Sequence, residues 1–251
     1  MELELWQLAL LTGAGVIAGW LNVMAGGGSM LTIPIMLFMG MPGPVANGTN
    51  RIAILAQNIS ATTNFRRKGF RELKLGLSLS LAAIPGAIAG AMIGVRLEGE
   101  LFNRILAIIM IGTMILMMTG GEKKIRQPDH KPTRKQLILG HACMVGAGFW
   151  GGFIQIGVGF ILMPILNRVM GLDLVRVNAL KVFVILCYTI VALAIFATQV
   201  EVLWIAGLAL ALGNALGGWL GAHSSVTRGD KLIRWVLNSV LAVFIIKLLF
   251  F

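Results

Sequence analysis

Apolar stretches long enough to cross a bilayer follow one another along almost the whole chain, and few folds can accommodate that pattern. They fall near 5–23, 29–45, 46–64, 75–95 and 101–119, then 136–154, 158–170, 176–198, 202–222 and 232–250. A hydrocarbon core about 30 Å thick takes roughly 20 apolar residues of helix per crossing. In lipid, every backbone polar group must find its partner inside the protein, which leaves helices or closed barrels. Windows of this length are helical. With 57% of residues hydrophobic and only 12% charged, the chain reads as an all-α, multi-pass integral membrane protein with no room for a soluble domain.

A formal net charge of +11 would suggest nucleic acid in a soluble chain. Here the cations cluster in the turns between windows, where they set topology and meet anionic lipid. The expected surroundings are a bilayer and not nucleic acid. The start, Met1-Glu2-Leu3-Glu4, is acidic where a secretory signal would be basic, so the first helix is expected to be retained. Cys143 and Cys187 both lie in apolar windows and make neither a disulfide framework nor metal-ligand spacing.

The one hydrophilic stretch of any length, 120–135, divides the chain into residues 1–119 and 136–251, each with five windows. The halves repeat. Pro34 and Pro164, Asn47 and Asn178, and Asn50 and Lys181 correspond at a nearly constant offset, and Gly86, Gly90 and Gly94 correspond to Gly213, Gly217 and Gly221. The last set spells Gly-x-x-x-Gly-x-x-x-Gly, a ridge that lets helix backbones approach closely in lipid. Five crossings per half would invert the second half; re-entrant glycine segments would leave the halves parallel. The positive-inside rule favours inversion. In that arrangement only Arg96, Arg104 and Lys247 among the loop cations lie outside, with 65–74, 120–135 and 224–231 in the cytoplasm. The parallel arrangement moves Arg168, Arg176, Arg228, Lys231 and Arg234 to the outer side. Segment 158–170 is short for a crossing and reads as a half-helix. The expected fold is two inverted repeats with glycine-interrupted helices at the pseudo-symmetry centre.

Those interruptions are Ala25-Gly26-Gly27-Gly28-Ser29 and Gln155-Ile156-Gly157-Val158-Gly159, each leading to a proline and then a polar patch. Paired broken segments at matching places in two halves are the sequence mark of a transporter's binding site. Removing the loop cations leaves Arg51 and Lys181, which sit at matching places just after the breaks. A cation there is costly unless it faces water, a partner or a ligand. Two readings stand: snorkelling to the interface, or attraction of an anion. The recurrence in both halves favours the second. All ten acidic residues fall in loops or at the N-terminus, which argues against a cation substrate and against a carboxylate proton relay. Backbone N–H groups at Gly26, Gly27, Gly28, Ser29, Gly157 and Gly159, beside helix starts, suit an anion. Thr32, Asn47, Thr49, Asn50, Gln155 and Asn178 add neutral donors, or alternatively cap the broken helices.

Other motifs do not hold up. Gly146-Ala147-Gly148-Phe149-Trp150-Gly151 fits a dinucleotide fingerprint but has no preceding strand. His130, His141 and His223 have no metal spacing, and no nucleophile and base share a window, so no enzyme, cofactor or metal is expected. The six tryptophans fall near window ends, as interfacial anchors do.

Taken together, Ala25-Gly26-Gly27-Gly28-Ser29, Leu31-Thr32-Ile33-Pro34, Ala46-Asn47-Gly48-Thr49-Asn50-Arg51 and the Gly86/Gly90/Gly94 ridge resemble the TauE/SafE sulfite exporter family, also called TSUP. The resemblance spans nearly the whole chain, although the second half has Leu180 where the first has Thr49. It implies export, or in some members uptake, of sulfite, sulfonates, sulfoacetate or thiosulfate. The expectation is therefore an inner-membrane secondary transporter working by alternating access, with an anion channel or a permease for another small oxyanion or carboxylate as the rival. A homodimer is compatible with this reading.

Overall fold

The computed structural model describes residues 3–24, 27–70, 72–97, 99–119 and 131–224. Among them every regular element is helical: α1 (Leu5–Met24), α2 (Ser29–Phe38), α3 (Gly43–Arg67), α4 (Leu73–Gly94), α5 (Gly99–Thr119), α6 (Arg134–Phe153), α7 (Val158–Pro164), α8 (Leu174–Gln199) and α9 (Trp204–Ser224). A π-helical turn, Ile165–Val169, continues α7. Window 232–250, most of the 120–135 linker and nearly all of loop 224–231 lie outside the described residues.

Local chemistry sets several of the ends. Thr133 and Gln136 form a reciprocal capping box at the start of α6, and the Asp173 carboxylate accepts from the Val175 and Arg176 amides at the start of α8. Four helices are long and apolar enough to cross a membrane: Leu5–Val23, Leu73–Gly94, Leu174–Gln199 and Trp204–Gly221. α2 has 10 residues, which at about 1.5 Å per residue reaches roughly half of a 30 Å core. Segment 158–170 is likewise broken into the seven-residue α7 and its π turn, a half-helix as its length suggested.

The two glycine ridges join helices from different halves. On α4, a Cβ at Gly86 would sit 2.7 Å from Phe149 N and closer to Val145 O; Gly90 and Gly94 meet the carbonyls of Phe149 and Phe153 in the same way. α6 answers with Gly148 and Gly152 against the Ala83 and Ala87 carbonyls. That packing accounts for part of the apparent dinucleotide motif. α9 repeats the arrangement on α1: Gly213 and Gly217 press on the Thr12 and Val16 carbonyls, while Gly15 and Gly19 press on those of Leu210 and Asn214. Only residues without side chains allow backbones this close. The opposite face of α9 carries Leu208, Leu212, Leu216 and Leu220, all exposed, as a lipid-facing stripe would be.

These contacts also fix the directions in which the helices run. Numbers rise together between α1 and α9 and between α4 and α6, so each pair is parallel. α3 is parallel to α9: Thr49 meets Leu203, Ile52 meets Gly207, Ser60 meets Ala215 and Asn64 meets Trp219. α4 is parallel to α8, with Gly76 on Leu180 and Phe183 and Gly94 on Phe196. α3 and α8 are antiparallel: Gly48 lies on Phe196, whereas Phe65 clusters with Ala179 and Val182. Hence α1, α3 and α9 point one way and α4, α6 and α8 the other. Because α1 and α3 share a direction, the segment holding α2 must carry the chain back across, and the segment holding α7 does the same between α6 and α8.

Candidate functional site

Each half-helix starts in the interior of the bundle, and the neighbouring helix end is held by a cation from the other half. At the second break, α6 stops at Phe153, and residues 154–157 turn the chain with Gln155 at φ 65° and Gly157 at φ 70°. Terminal carbonyls of a helix lack intrahelical partners and carry the negative end of its dipole. Here α3 supplies partners for three of them. Arg51 Nη1 donates to Gly151 O at 3.0 Å, Arg51 Nη2 donates to Gly152 O, and Asn47 Nδ2 donates to Phe153 O at 2.8 Å. The guanidinium also sits over the Phe196 ring, 4.4 Å from its centroid, a cation–π contact. Trp150 Nε1 ties the turn down by donating to Ile156 O at 2.8 Å.

The first break is similar. Residues 25 and 26, and with them the candidate Gly26, lie outside the described residues. Gly27 and Gly28 lead into α2, where the Met30 and Leu31 amides donate back to their carbonyls at 3.1 and 3.0 Å. Gly28 lies flat on α1; a Cβ there would run into the Ala18 carbonyl and stand 2.7 Å from Asn22 Cβ. Lys181, from α8, donates to Val23 O at 2.9 Å and to Asn178 Oδ1 at 3.2 Å. Beside it, Thr32 Oγ1 donates to Asn50 Oδ1 at 2.7 Å, and Asn50 Nδ2 donates to Ser29 Oγ at 3.1 Å. Asn22 Nδ2 donates to Gln57 Oε1 at 2.9 Å.

The two breaks touch. A Cβ on Gly157 would lie 3.0 Å from Met30 Cε and 3.2 Å from Thr113 Oγ1, and Gly159 is buried in the first turn of α7. Thr49 stands apart from them: its Oγ1 accepts from Leu203 N at 3.1 Å, next to the start of α9. Arg51 is 0% and Lys181 1% exposed, so neither snorkels. Among the described residues they are the two buried charged side chains, and both are positive. Burying charge is costly without compensation; carbonyl dipoles supply part of it and an anion would supply more.

Sequence reasoning passed over Asn22, Gln57, Thr113 and Tyr188. The last carried a usable signal. It is the chain's single tyrosine, placed mid-window and away from the ends where aromatic anchors gather, and it is fully buried. His141 is a packing residue: Nδ1 contacts Leu137 O at 2.7 Å and Nε2 contacts Ser78 Oγ at 3.1 Å.

A multi-pass helical bundle with broken helices meeting at two buried cations has the layout of a membrane transporter. Residues 11–248 match the family described as Sulfite exporter TauE/SafE. The chain belongs to the TauE/SafE family of membrane transporters. Its relatives include the probable membrane transporter protein ORF9 of Sinorhizobium sp, 29% identical over 99% of this chain and 94% of that one. A probable membrane transporter protein of Haemophilus influenzae is 28% identical over 93% and 91%. The probable membrane transporter protein YfcA of Escherichia coli K12 is 29% identical over 97% and 90%. No solved structure matches.

Proposed function

We propose that this protein is a secondary transporter that exports a small sulfur-containing anion, sulfite or an organosulfonate, across the inner membrane by alternating access. The observation that carries this reading is the pair of buried cations, Arg51 and Lys181, with no buried carboxylate among the described residues. An interior of that sign attracts an anion and repels a cation. The family's own description, sulfite exporter, supports the sulfur oxyanion class.

Alternating access rests on two inverted repeats, residues 1–119 and 136–251, joined by a cytoplasmic linker at 120–135. The directions of the helices support this. α1, α3 and α4 correspond in order to α6, α8 and α9, and each member of the first set runs opposite to its counterpart. The reciprocal capping supports it too, since each half holds the broken helix of the other. The buried site residues fit a state closed to both sides, which a carrier passes through and a channel does not need.

Purified protein in proteoliposomes, offered sulfite, sulfate, thiosulfate, sulfoacetate, taurine and acetate, tests the proposal. Saturable sulfite or sulfonate flux, accelerated by unlabelled substrate on the far side, is the expected result. Unsaturable flux without that acceleration would identify a channel, and flux confined to acetate would overturn the sulfur class.

A further inference from the structure

The polar groups at the two breaks are not used equally. At the first break Ser29, Thr32, Asn50, Asn22 and Gln57 bond to one another. At the second, three groups in fully or almost fully buried residues keep unused hydrogen-bonding capacity: Arg51 Nε–H, the Tyr188 O–H and Gln155 Oε1. They belong to one place. Arg51 bonds the Gly151 carbonyl, and a Cβ on Gly151 would lie 2.5 Å from the Tyr188 hydroxyl. Tyr188 in turn lies within side-chain hydrogen-bonding reach of the Gln155 amide and within electrostatic reach of Arg51. With the amide N–H turned to the phenol oxygen, the phenol's own O–H and Gln155 Oε1 are left unmatched. Gln155 holds its position through a left-handed backbone, the one non-glycine case among the described residues. Strain of that kind persists where the surroundings impose it, and it gathers at ligand sites. Buried polar groups are paired in the great majority of cases, so two unmatched donors and an unmatched acceptor at one helix break call for a ligand.

We propose that Arg51 Nε–H, the Tyr188 hydroxyl and the Gln155 amide oxygen form the oxyanion subsite, and that its ligand is a singly protonated oxyanion. This rests on the transport reading above and narrows its substrate class. The guanidinium supplies charge and one donor, the phenol a second donor, and the amide oxygen an acceptor. Hydrogensulfite offers oxygen acceptors and an ionisable proton together. A sulfonate offers acceptors alone and leaves Gln155 Oε1 unmatched. The site is asymmetric: the second break holds the ligand, and the first serves as its scaffold.

The test uses the full-length protein in detergent, with sulfite and methanesulfonate as probes, and reads affinity together with ligand-free melting temperature. Tyr188→Phe should weaken sulfite binding about tenfold, as loss of a hydrogen bond to a charged ligand does, in a protein that still melts cooperatively. Gln155→Gly relieves the strained backbone and removes the amide from Tyr188, opposing effects that should leave the ligand-free melting temperature near the wild-type value. It should weaken sulfite binding while sparing methanesulfonate. Wild-type affinity for sulfite in both variants would overturn the subsite and leave the transport reading standing. Equal losses for the two probes in Gln155→Gly would also overturn it. Absence of saturable binding of either probe to the wild type would overturn the subsite and the sulfur-anion reading together.

Discussion

Arg51 and Lys181 each do two things with one charge. Their donors satisfy carbonyls at the end of a broken helix, and their remaining field reaches the space between the breaks. Glutamine at either position removes the charge but keeps a donor. At Arg51 anion affinity should then fall roughly ten- to a hundredfold, on the order of 1.5–3 kcal/mol for a hydrogen bond to a charged group. At Lys181, which acts through its field alone, the loss should be smaller. Unchanged affinity in both variants in a detergent binding assay would confine both residues to capping. Arg51→Lys should not rescue binding, because a point-like ammonium cannot bridge the Gly151 and Gly152 carbonyls and still present a planar donor. Both cations were legible in the sequence once the loop cations had been set aside. What the sequence hid was their use. Nothing local to Arg51 announces that its acceptors are about a hundred residues away, or that Thr49, two positions earlier, faces Leu203 instead.

Among the elements, the four glycine-bearing helices behave as two matched pairs, of which the ridges on α4 and α9 were readable from spacing alone. Their partners were not, because a ridge of small residues specifies closeness and not what it is close to. Gly90→Leu or Gly217→Leu should prevent assembly, since each side chain must displace backbone; size-exclusion chromatography of the detergent-solubilised protein would show aggregation. Gly146→Ala, with nothing within 4 Å of the new methyl, should leave stability within about 0.5 kcal/mol. Gly28→Val drives a branched side chain into the Ala18 carbonyl and should abolish transport, read as sulfite efflux from cells that still make the protein. The length of α2 was less legible. Apolarity continues from 29 to 45 in the sequence, and only the turn after Phe38 and Pro42 before α3 break it. Long and largely buried, α3 is polar enough to fall outside the four apolar spans, because its buried face carries asparagine, glutamine and arginine.

Across the described residues, the helix directions gather most of the loop cations at one end of the bundle. Arg66, Arg67, Lys68, Lys74, Arg134, Lys135 and Arg176, with Glu72 and Asp173 among them, flank the ends where α3 finishes and where α4, α6 and α8 start; Glu4, Glu201, Arg96, Glu100 and Arg104 lie at the opposite end. The positive-inside rule predicts that the basic end faces the cytoplasm. Single cysteines at 68 and 132, in a Cys143→Ser/Cys187→Ser background, should react only from that side, and one at 201 only from the other. With no buried carboxylate described, a permanently ionised sulfonate, if carried, should move with the membrane potential, at about 2.3 kcal/mol per charge per 100 mV; potassium–valinomycin clamps on proteoliposomes would read it. The reciprocal capping also has a consequence for how the protein is made. Arg51 enters the bilayer 100 and 101 residues ahead of its acceptors Gly151 and Gly152, whereas Val23 is in place 158 residues before Lys181 arrives. During synthesis the first half therefore waits with a bare guanidinium in the membrane, held by the insertion machinery or lost to proteolysis. A nascent chain stopped at residue 119 should be short-lived in cells, and supplying residues 120–251 as a separate polypeptide should lengthen its half-life in a pulse–chase.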